Sequence, residues 1–363
     1  VTTTYDIAIV GAGMAGASLA AALDSRARVL VLEAEEQPGY HATGRSAAFW
    51  SETYGGPGVQ PLTSASGPAL REGGFLAPLG SVQIGRAGDA AKIDAFLASF
   101  EGSAVPLVQV DPAAYIPGLK RDWKLGISEP TCAYIDVAAL HAFYLASARR
   151  AGAEIVAQAG LKQADRTDGR WSLVTNAGAF TATVLVNAAG AWADAVAAVA
   201  GARPLGICAY RRTLAQLRTD PPAPATMPHV ADISGKFYFK PEAGGRVWLS
   251  PHDETPAPPG DAAPEELDVA IAIDRFEQVV DWTVTAVERS WAGLRSFAPD
   301  RLPVYGFDPQ VPGFFWCAGQ GGFGIQTAPA GAAVAVSLLL GEPLGNDYAG
   351  IDPLRYAPGR FAP

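Results

Sequence analysis

The sequence predicts an α/β protein: a Rossmann-like domain interrupted by an inserted antiparallel-sheet domain of α+β character. Three observations carry this reading: a glycine-rich strand-to-helix turn near the start, a second one near residue 320, and two intervening segments richer in proline, aromatics and alternating strand patterns. At 363 residues the chain exceeds what one simple core serves and suits about two domains. Hydrophobic residues make up 49% and charged residues 17%, which supports a sizeable buried core rather than disorder.

The first turn is the most informative. Residues 5–10 form a short apolar run, Gly11, Gly13 and Gly16 follow at once, and the Ala- and Leu-rich segment 17–23 reads as a helix. Residues 28–32 give a second buried strand ending at Glu33. The first glycine permits the turn, the second lets backbone approach a pyrophosphate, and the third packs helix against sheet. The pyrophosphate then sits on the helix N-terminus. A glycine turn alone is a weak signal, but a preceding strand and an acid about 20 residues on point to a dinucleotide. Glu33 would accept the adenosine ribose hydroxyls of FAD or NAD, and this motif does not choose between them.

Later segments return to the same domain. Asp136 caps a helix over 137–150, residues 154–156 read as a strand, and 171–175 and 180–186 read as strands ending at Asn187-Ala188-Ala189-Gly190. Residues 314–318 form another buried strand, followed by Gly319-Gln320-Gly321-Gly322-Phe323-Gly324 and a helix of small residues over 325–340. Gly321, Gly322 and Gly324 leave no side chains to obstruct a flat ring, and the helix N-terminus would offer N–H donors to an anionic reduced flavin. NAD needs no such second turn. Segments 75–135 and 205–294, with strands at 236–240 and 245–250, form the inserted domain. The cofactor domain then comprises 1–74, 136–204 and 295–363. The Pro-rich stretches 221–228 and 255–264 read as surface loops, with a lid as one use for them.

Composition excludes other classes. A net charge of −9 and the lack of any Lys or Arg run argue against nucleic acid or an anionic membrane as partner. Cys132, Cys208 and Cys317 form no CxxC pair, so neither a disulfide framework nor a zinc site is expected, and no metal is called for. No signal peptide and no stretch of membrane-spanning length is read, and a cytoplasmic location is expected.

Five motifs run in order over nearly the whole chain: the glycine fingerprint, Gly44-Arg45-Ser46-Ala47-Ala48, Asn187-Ala188-Ala189-Gly190-Ala191-Trp192, Trp291-Ala292-Gly293-Leu294-Arg295 and the C-terminal glycine turn. Together they resemble the D-amino-acid oxidase/glycine oxidase family of flavoproteins. Within it the likeness is greatest to bacterial D-arginine dehydrogenase, through residues 38–48 and 320–327. The resemblance implies FAD held by Gly11, Gly13, Met14, Ala15, Gly16, Glu33, Arg45, Ser46, Ala47, Ala48, Leu161, Ala189, Gly190, Trp192, Gly321, Gly322, Phe323, Gly324, Ile325 and Gln326. Attachment is expected to be non-covalent. The cysteine used by related sarcosine oxidases has no counterpart in 296–312, and Cys317 reads as a small core hydrophobe.

An amino-acid oxidiser must hold a carboxylate, place the Cα–H over flavin N5 and keep the amine neutral. Carboxylate recognition calls for arginine, whose planar fork binds both oxygens, supported by tyrosine hydroxyls. The resemblance names Arg212 and Arg295 as the arginines and Tyr54 and Tyr238 as the hydroxyls. The carbonyls of Gly321 and Gly322, with Gln326 nearby, would orient the amine. Arg295 has apolar neighbours, which favours a bound anion over an internal salt bridge. Arg212 has Arg211 beside it; Tyr54 equally reads as a loop anchor and Tyr238 as a core aromatic. His41 falls on the pyrophosphate side and reads as structural, and no side chain stands out as proton acceptor.

Where the D-arginine enzyme carries an acid, Ser81 stands here. Glu52 is the one acid that would compensate, though it reads as solvent-facing, and Phe49 replaces a histidine beside the flavin. A small or apolar substrate side chain is therefore expected. The expected reaction is FAD-dependent oxidative deamination of a D-amino acid by hydride transfer from Cα to flavin N5. It yields an imino acid that hydrolyses to a 2-oxo acid, with oxygen or a quinone as electron acceptor. The alternatives are a glycine- or sarcosine-type amine oxidase, a 2-hydroxy-acid dehydrogenase, and a non-catalytic flavin carrier.

Overall fold

The first glycine turn forms as its residues dictate. Strand Thr4–Val10 runs into helix Met14–Leu23, and strand Val29–Leu32 returns parallel beside the first, with Val10 facing Leu32. Gly11 adopts a φ of 103°, and a Cβ there would fall 2.5 Å from the Ala188 carbonyl oxygen. At Gly16 a Cβ would meet the Gly11 carbonyl oxygen at 1.9 Å, so Gly11 lets the turn approach Ala188 and Gly16 lets the helix approach the turn.

The structure is a computed structural model that describes residues 4–361. Eight of the described strands form the first sheet. Its main path runs Leu161–Thr167, Arg170–Thr175, Gly178–Asn187, Thr4–Val10, Val29–Leu32 and Glu154–Val156, and Phe314–Ala318 attaches in parallel to the end of Gly178–Asn187. Val304–Phe307 completes it beside Phe314–Ala318. The parallel centre is covered on both faces, so Val29–Leu32 and Phe314–Ala318 are continuous apolar runs without polar alternation. Helices Met14–Leu23 and Ala328–Leu340 pack on one face through Leu19, Leu23, Val334 and Ala335. Asp136 caps helix Val137–Arg150 as expected, accepting the Ala139 N–H at 2.9 Å.

The second sheet has ten strands and spans both inserted segments. Its order is Gln320–Gly321, Thr283–Phe297, Cys208–Asp220, Arg246–Ser250, Tyr238–Glu242, His229–Asp232, Ser81–Arg86, Trp123–Glu129 and Val108–Val110, with Thr255–Pro256 also on Cys208–Asp220. Every pairing is antiparallel except that of His229–Asp232 with Ser81–Arg86. Helix Glu266–Glu277 closes the outer face, burying Ala272 and Phe276 against Leu217, Phe239 and Val247. Strand Thr283–Phe297 is mostly exposed over its first half and buried from Ala292 on, and it runs unbroken across residue 294.

Two details differ from the sequence expectation. The last helix begins at Ala328 rather than 325, because residues 322–327 form successive turns and Pro329 occupies the first helical turn. Strand Leu161–Thr167 was not foreseen, since it is largely exposed and carries no apolar pattern. No described helix is long and apolar enough to cross a membrane.

Candidate active site

A cavity of about 410 Å³ is walled by residues of both sheets. Its wall contains Gly11, Gly13, Met14, Ala15, Glu33, Arg45, Ser46, Ala47, Ala48, Leu161, Ala189, Gly190, Trp192, Gly321, Gly322, Gly324 and Ile325, and also Tyr54, Arg212, Tyr238 and Arg295. Gly16, Phe323 and Gln326 stand behind it. Gly16 supports the turn, and Phe323 packs edge-on against Tyr54 with ring centroids 5.1 Å apart. The Gln326 amide donates both its hydrogens to the protein, to the Tyr54 carbonyl and to Thr63 Oγ1, each at 2.9 Å. It therefore holds the loop that carries Tyr54, and no amide donor remains for a substrate.

At the glycine-turn end, Glu33 braces the backbone. Its Oε2 accepts the Ala12 N–H at 2.8 Å and its Oε1 the Glu35 N–H at 3.0 Å, which leaves lone pairs on both oxygens for ribose hydroxyls. Arg45 stitches the Pro-rich loop to the rim, pairing with Asp261 and donating to the Ala262 carbonyl at 2.8 Å. His41 lines the same end with Nε2 2.8 Å from Glu35 Oε1, a contact within the protein.

Strand alternation sets the other end. Across the long antiparallel pair Tyr210 faces Arg295 and Arg212 faces Gly293, and residues two apart share a face, so Arg212 and Arg295 are diagonal neighbours. Arg211 consequently points to the opposite face, where it pairs with Glu265 and Asp268. Arg212 and Arg295 are only 4% and 8% exposed. Arg295 Nη1 donates to Tyr54 Oη at 3.2 Å and Nη2 to Glu254, while Arg212 Nε donates to the Asp253 carbonyl at 2.9 Å. Arg212 Nη1 and Nη2 and Arg295 Nε are buried without a hydrogen-bond partner. A buried donor left unmade costs about 1–3 kcal/mol, and more when charged, so these atoms are chemically suited to receive an anion.

The two tyrosines differ electrostatically. Burial pushes the Tyr54 phenol up, but the charges of Arg295 and Arg212 outweigh it and hold the group below its usual range. Burial dominates at Tyr238, whose phenol is raised despite Arg212 and so remains a hydroxyl donor.

The distal wall carries no charge. The Phe49 ring packs against Tyr54, His229 and Tyr238 at centroid distances of 5.0, 4.5 and 5.8 Å. Burial, then the nearby Lys240 and His252, push His229 down to about 3, so it is neutral. Its Nδ1 lies 3.0 Å from Ser81 Oγ, and Ser81 is buried behind it, outside the cavity wall. Glu52 is neither in the wall nor facing solvent: it is half-buried and accepts the hydroxyls of Ser64 and Thr131. Two acids escaped the sequence reading. Buried Glu129 accepts the Ser51 and Thr53 hydroxyls at 2.9 and 2.6 Å and the Glu52 N–H at 2.6 Å, fixing the segment before Tyr54. Its one visible signal was an acid at the end of the strand Trp123–Glu129. Glu254 lies immediately before the Pro-rich stretch 255–264 and carries no signal of its own.

The family model described as FAD dependent oxidoreductase, DAO, matches residues 6–338. The chain belongs to the DAO family of FAD-dependent oxidoreductases. Hydrogen cyanide synthase subunit HcnC of Pseudomonas aeruginosa is 25% identical over 228 residues, covering 59% of this chain and 51% of that protein. The chain thus spans about half the length of that relative. Glycine oxidase from Geobacillus kaustophilus superposes with a TM-score of 0.82 at 23% identity, covering 98% of each chain. L-proline dehydrogenase from P. horikoshii does so with a TM-score of 0.84 at 21% identity, again over 98% of each. These two likenesses show the fold. The cofactor of this DAO protein is FAD, and the residues present fit it. The Gly11 cradle has no room for a Cβ, Glu33 has free lone pairs, and the glycine turn 321–324 leaves the facing wall bare.

Proposed function

We propose that this flavoenzyme oxidises the Cα–N bond of a small α-amino acid with an uncharged side chain, and that the substrate is a D-amino acid, as the family resemblance favours. The observation that carries the proposal is the pair of buried arginines with unpartnered N–H donors beside two tyrosine hydroxyls. When bound, FAD supplies the ring whose N5 accepts the hydride from Cα. Arg212 and Arg295 hold the substrate carboxylate with Tyr54 and Tyr238, which fixes the position of Cα. Carbonyl oxygens of Gly321 and Gly322, in the same wall, accept from the amine. The apolar rings of the distal wall exclude water from the reacting carbon. The amine must enter neutral for its lone pair to assist hydride departure, and Glu254 is held by guanidinium groups. The resulting imino acid hydrolyses to a 2-oxo acid.

The particular likeness to D-arginine dehydrogenase does not carry a cationic substrate with it, since Ser81 and neutral His229 offer no counter-charge. Crowding of Phe49 between Tyr54 and Tyr238 also favours a second reading, oxidation of glycine or sarcosine, whose side groups are smallest. The same carboxylate receptor would serve a 2-hydroxy acid. Anaerobic mixing of the FAD-loaded protein with D- and L-amino acids, glycine, sarcosine and 2-hydroxy acids tests these readings through loss of flavin absorbance. The neighbours named above act, by their names, on glycine and L-proline, so the panel must contain both enantiomers. Bleaching by neutral D-amino acids is expected. Bleaching only by L-forms or hydroxy acids reassigns the substrate, and no bleaching by any compound overturns the proposal.

A further inference from the structure

The carboxylate receptor already has an internal carboxylate at its mouth. Glu254 lies between strand Arg246–Ser250 and the short strand Thr255–Pro256. One oxygen, Oε1, is bound by Arg295 Nη2 and by Arg301 Nη2 at 2.8 Å, and stands 3.7 Å from Arg212 Nη2. Among the described residues, the polar partners of Glu254 are guanidinium groups. Its neighbour Asp253 is held differently, by the Thr213 N–H at 2.7 Å and the Thr213 hydroxyl at 3.0 Å, and so is fixed to the sheet. The Glu254 side chain is 37% exposed.

Arg301 provides the place to which it can withdraw. Its guanidinium is stacked 3.9 Å over the Phe297 ring and lies 6.0 Å from the Tyr210 ring, yet its side chain is 47% exposed, so it is anchored at the rim and still reachable. On the terminal edge of Arg295, Nη1 donates one hydrogen to Tyr54 and Nη2 one to Glu254. A ligand carboxylate that binds that edge in a bidentate way competes with Glu254 for Nη2.

We propose that Glu254 is an affinity-determining residue that occupies the substrate-carboxylate position on Arg295 in the free enzyme and transfers to Arg301 when a carboxylate ligand enters. This rests on the carboxylate reading of the site given above. Burial opposes its ionisation, but Arg295 and Arg301 outweigh burial and keep the carboxyl below its usual range, so the competitor stays charged across the working pH range.

The test is titration of the FAD-loaded protein with benzoate, a carboxylate with no Cα–H to oxidise, followed by the flavin absorption change, with benzamide as the neutral control. Glu254→Gln is expected to lower the benzoate Kd about ten-fold, the low end for one charge-assisted hydrogen bond released from competition. Arg301→Gln is expected to raise the Kd in the wild-type background and to have no effect when Glu254 is already Gln. FAD content equal to wild type shows that each variant folds. An unchanged or raised Kd in Glu254→Gln overturns the inference and makes Glu254 a counter-ion that orients Arg295. If benzoate binds neither wild type nor variant, the carboxylate reading itself fails and takes this inference with it.

Discussion

Gly322 stands against the side chain of Arg295 with no room between them: a Cβ at Gly322 would lie 3.0 Å from Arg295 Cδ and 2.7 Å from Tyr54 Oη. The C-terminal glycine turn thus shapes the anion receptor as well as the wall facing the flavin. Gly322→Ala should displace both side chains at an overpacking cost of about 1–3 kcal/mol. Carboxylate affinity should fall by roughly 5- to 150-fold at the same energy. Gly11 and Glu33 hold the other end of the cofactor site, so flavin quantitation separates a loss of carboxylate affinity from a loss of FAD. Benzoate titration with parallel flavin quantitation checks this. Unchanged affinity would mean that Tyr54 and Arg295 do not need their present positions.

Features governed by local sterics were legible in the sequence, and those governed by distant neighbours were not. Gly11 and Gly16 announce the turn because only glycine tolerates the contacts made there. Arg212 was ambiguous beside Arg211 until strand pairing fixed the parity, after which a period of two sends one inward and the other to Glu265 and Asp268. Gln326 looked like a site residue from its place in a motif, yet its partners Tyr54 and Thr63 lie more than 250 positions away in the chain, at separations of 272 and 263. Glu129 owes its role to Ser51 and Thr53, at separations of 78 and 76, and Glu254 to Arg295 and Arg301, at separations of 41 and 47, which no local pattern reveals.

Substrate charge should be discriminated at the distal wall. With Ser81 and neutral His229 behind Phe49, a guanidinium or ammonium side chain loses a charge-assisted partner worth about 1.5–3 kcal/mol, or roughly 10- to 150-fold in kcat/KM. D-arginine and D-lysine should be poorer than neutral D-amino acids by that order. Ser81→Glu should raise the His229 pKa through their contact rather than capture the substrate, since position 81 is outside the wall. Highest kcat/KM for D-arginine in the panel would show that another acid has taken the role.

FAD should leave the protein on acid precipitation. Cys132 and Cys317 are buried and no cysteine lines the cavity among the described residues, so no thiol is placed to bond the ring. Burial also pushes the Cys317 thiol up to about 12, far from thiolate reactivity. Yellow supernatant with the mass of FAD is the expected result. Colour held in the pellet would demonstrate a covalent link.

Acid should weaken the outer sheet through Glu288. Hydrogen bonds from Arg246, then Arg218 and Gln216, lower its carboxyl from the ordinary 4.5 to about 2. A depressed folded value means that the contribution is full above the unfolded value and is lost as pH falls through the folded one. The window therefore runs from about pH 4.5 down to about pH 2. Urea midpoints should drop across it in wild type and drop less in Glu288→Gln. Parallel losses in the two proteins would assign the acid sensitivity to other carboxylates.

Arg295 should be the main carboxylate anchor. It is 8% exposed and buried beside Leu294, Phe297 and Tyr54, where water screens charge poorly and a pair outweighs an exposed ion pair. Arg295→Met preserves most of the apolar stem and deletes the fork, leaving the substrate carboxylate to Arg212 alone. The loss in transition-state binding should be on the order of 2–5 kcal/mol in kcat/KM, with FAD content unchanged. Arg295→Lys should recover only part, because an ammonium supplies charge without two parallel donors. The variant also frees Glu254 from its inner partner while Arg301 keeps it at the rim, so the defect should not be repaired by adding Glu254→Gln. Rates of flavin reduction at limiting and saturating substrate separate binding from chemistry. An unchanged kcat/KM in Arg295→Met would make its bond to Glu254 a structural salt bridge and leave Arg212, with its two free donors, as the receptor.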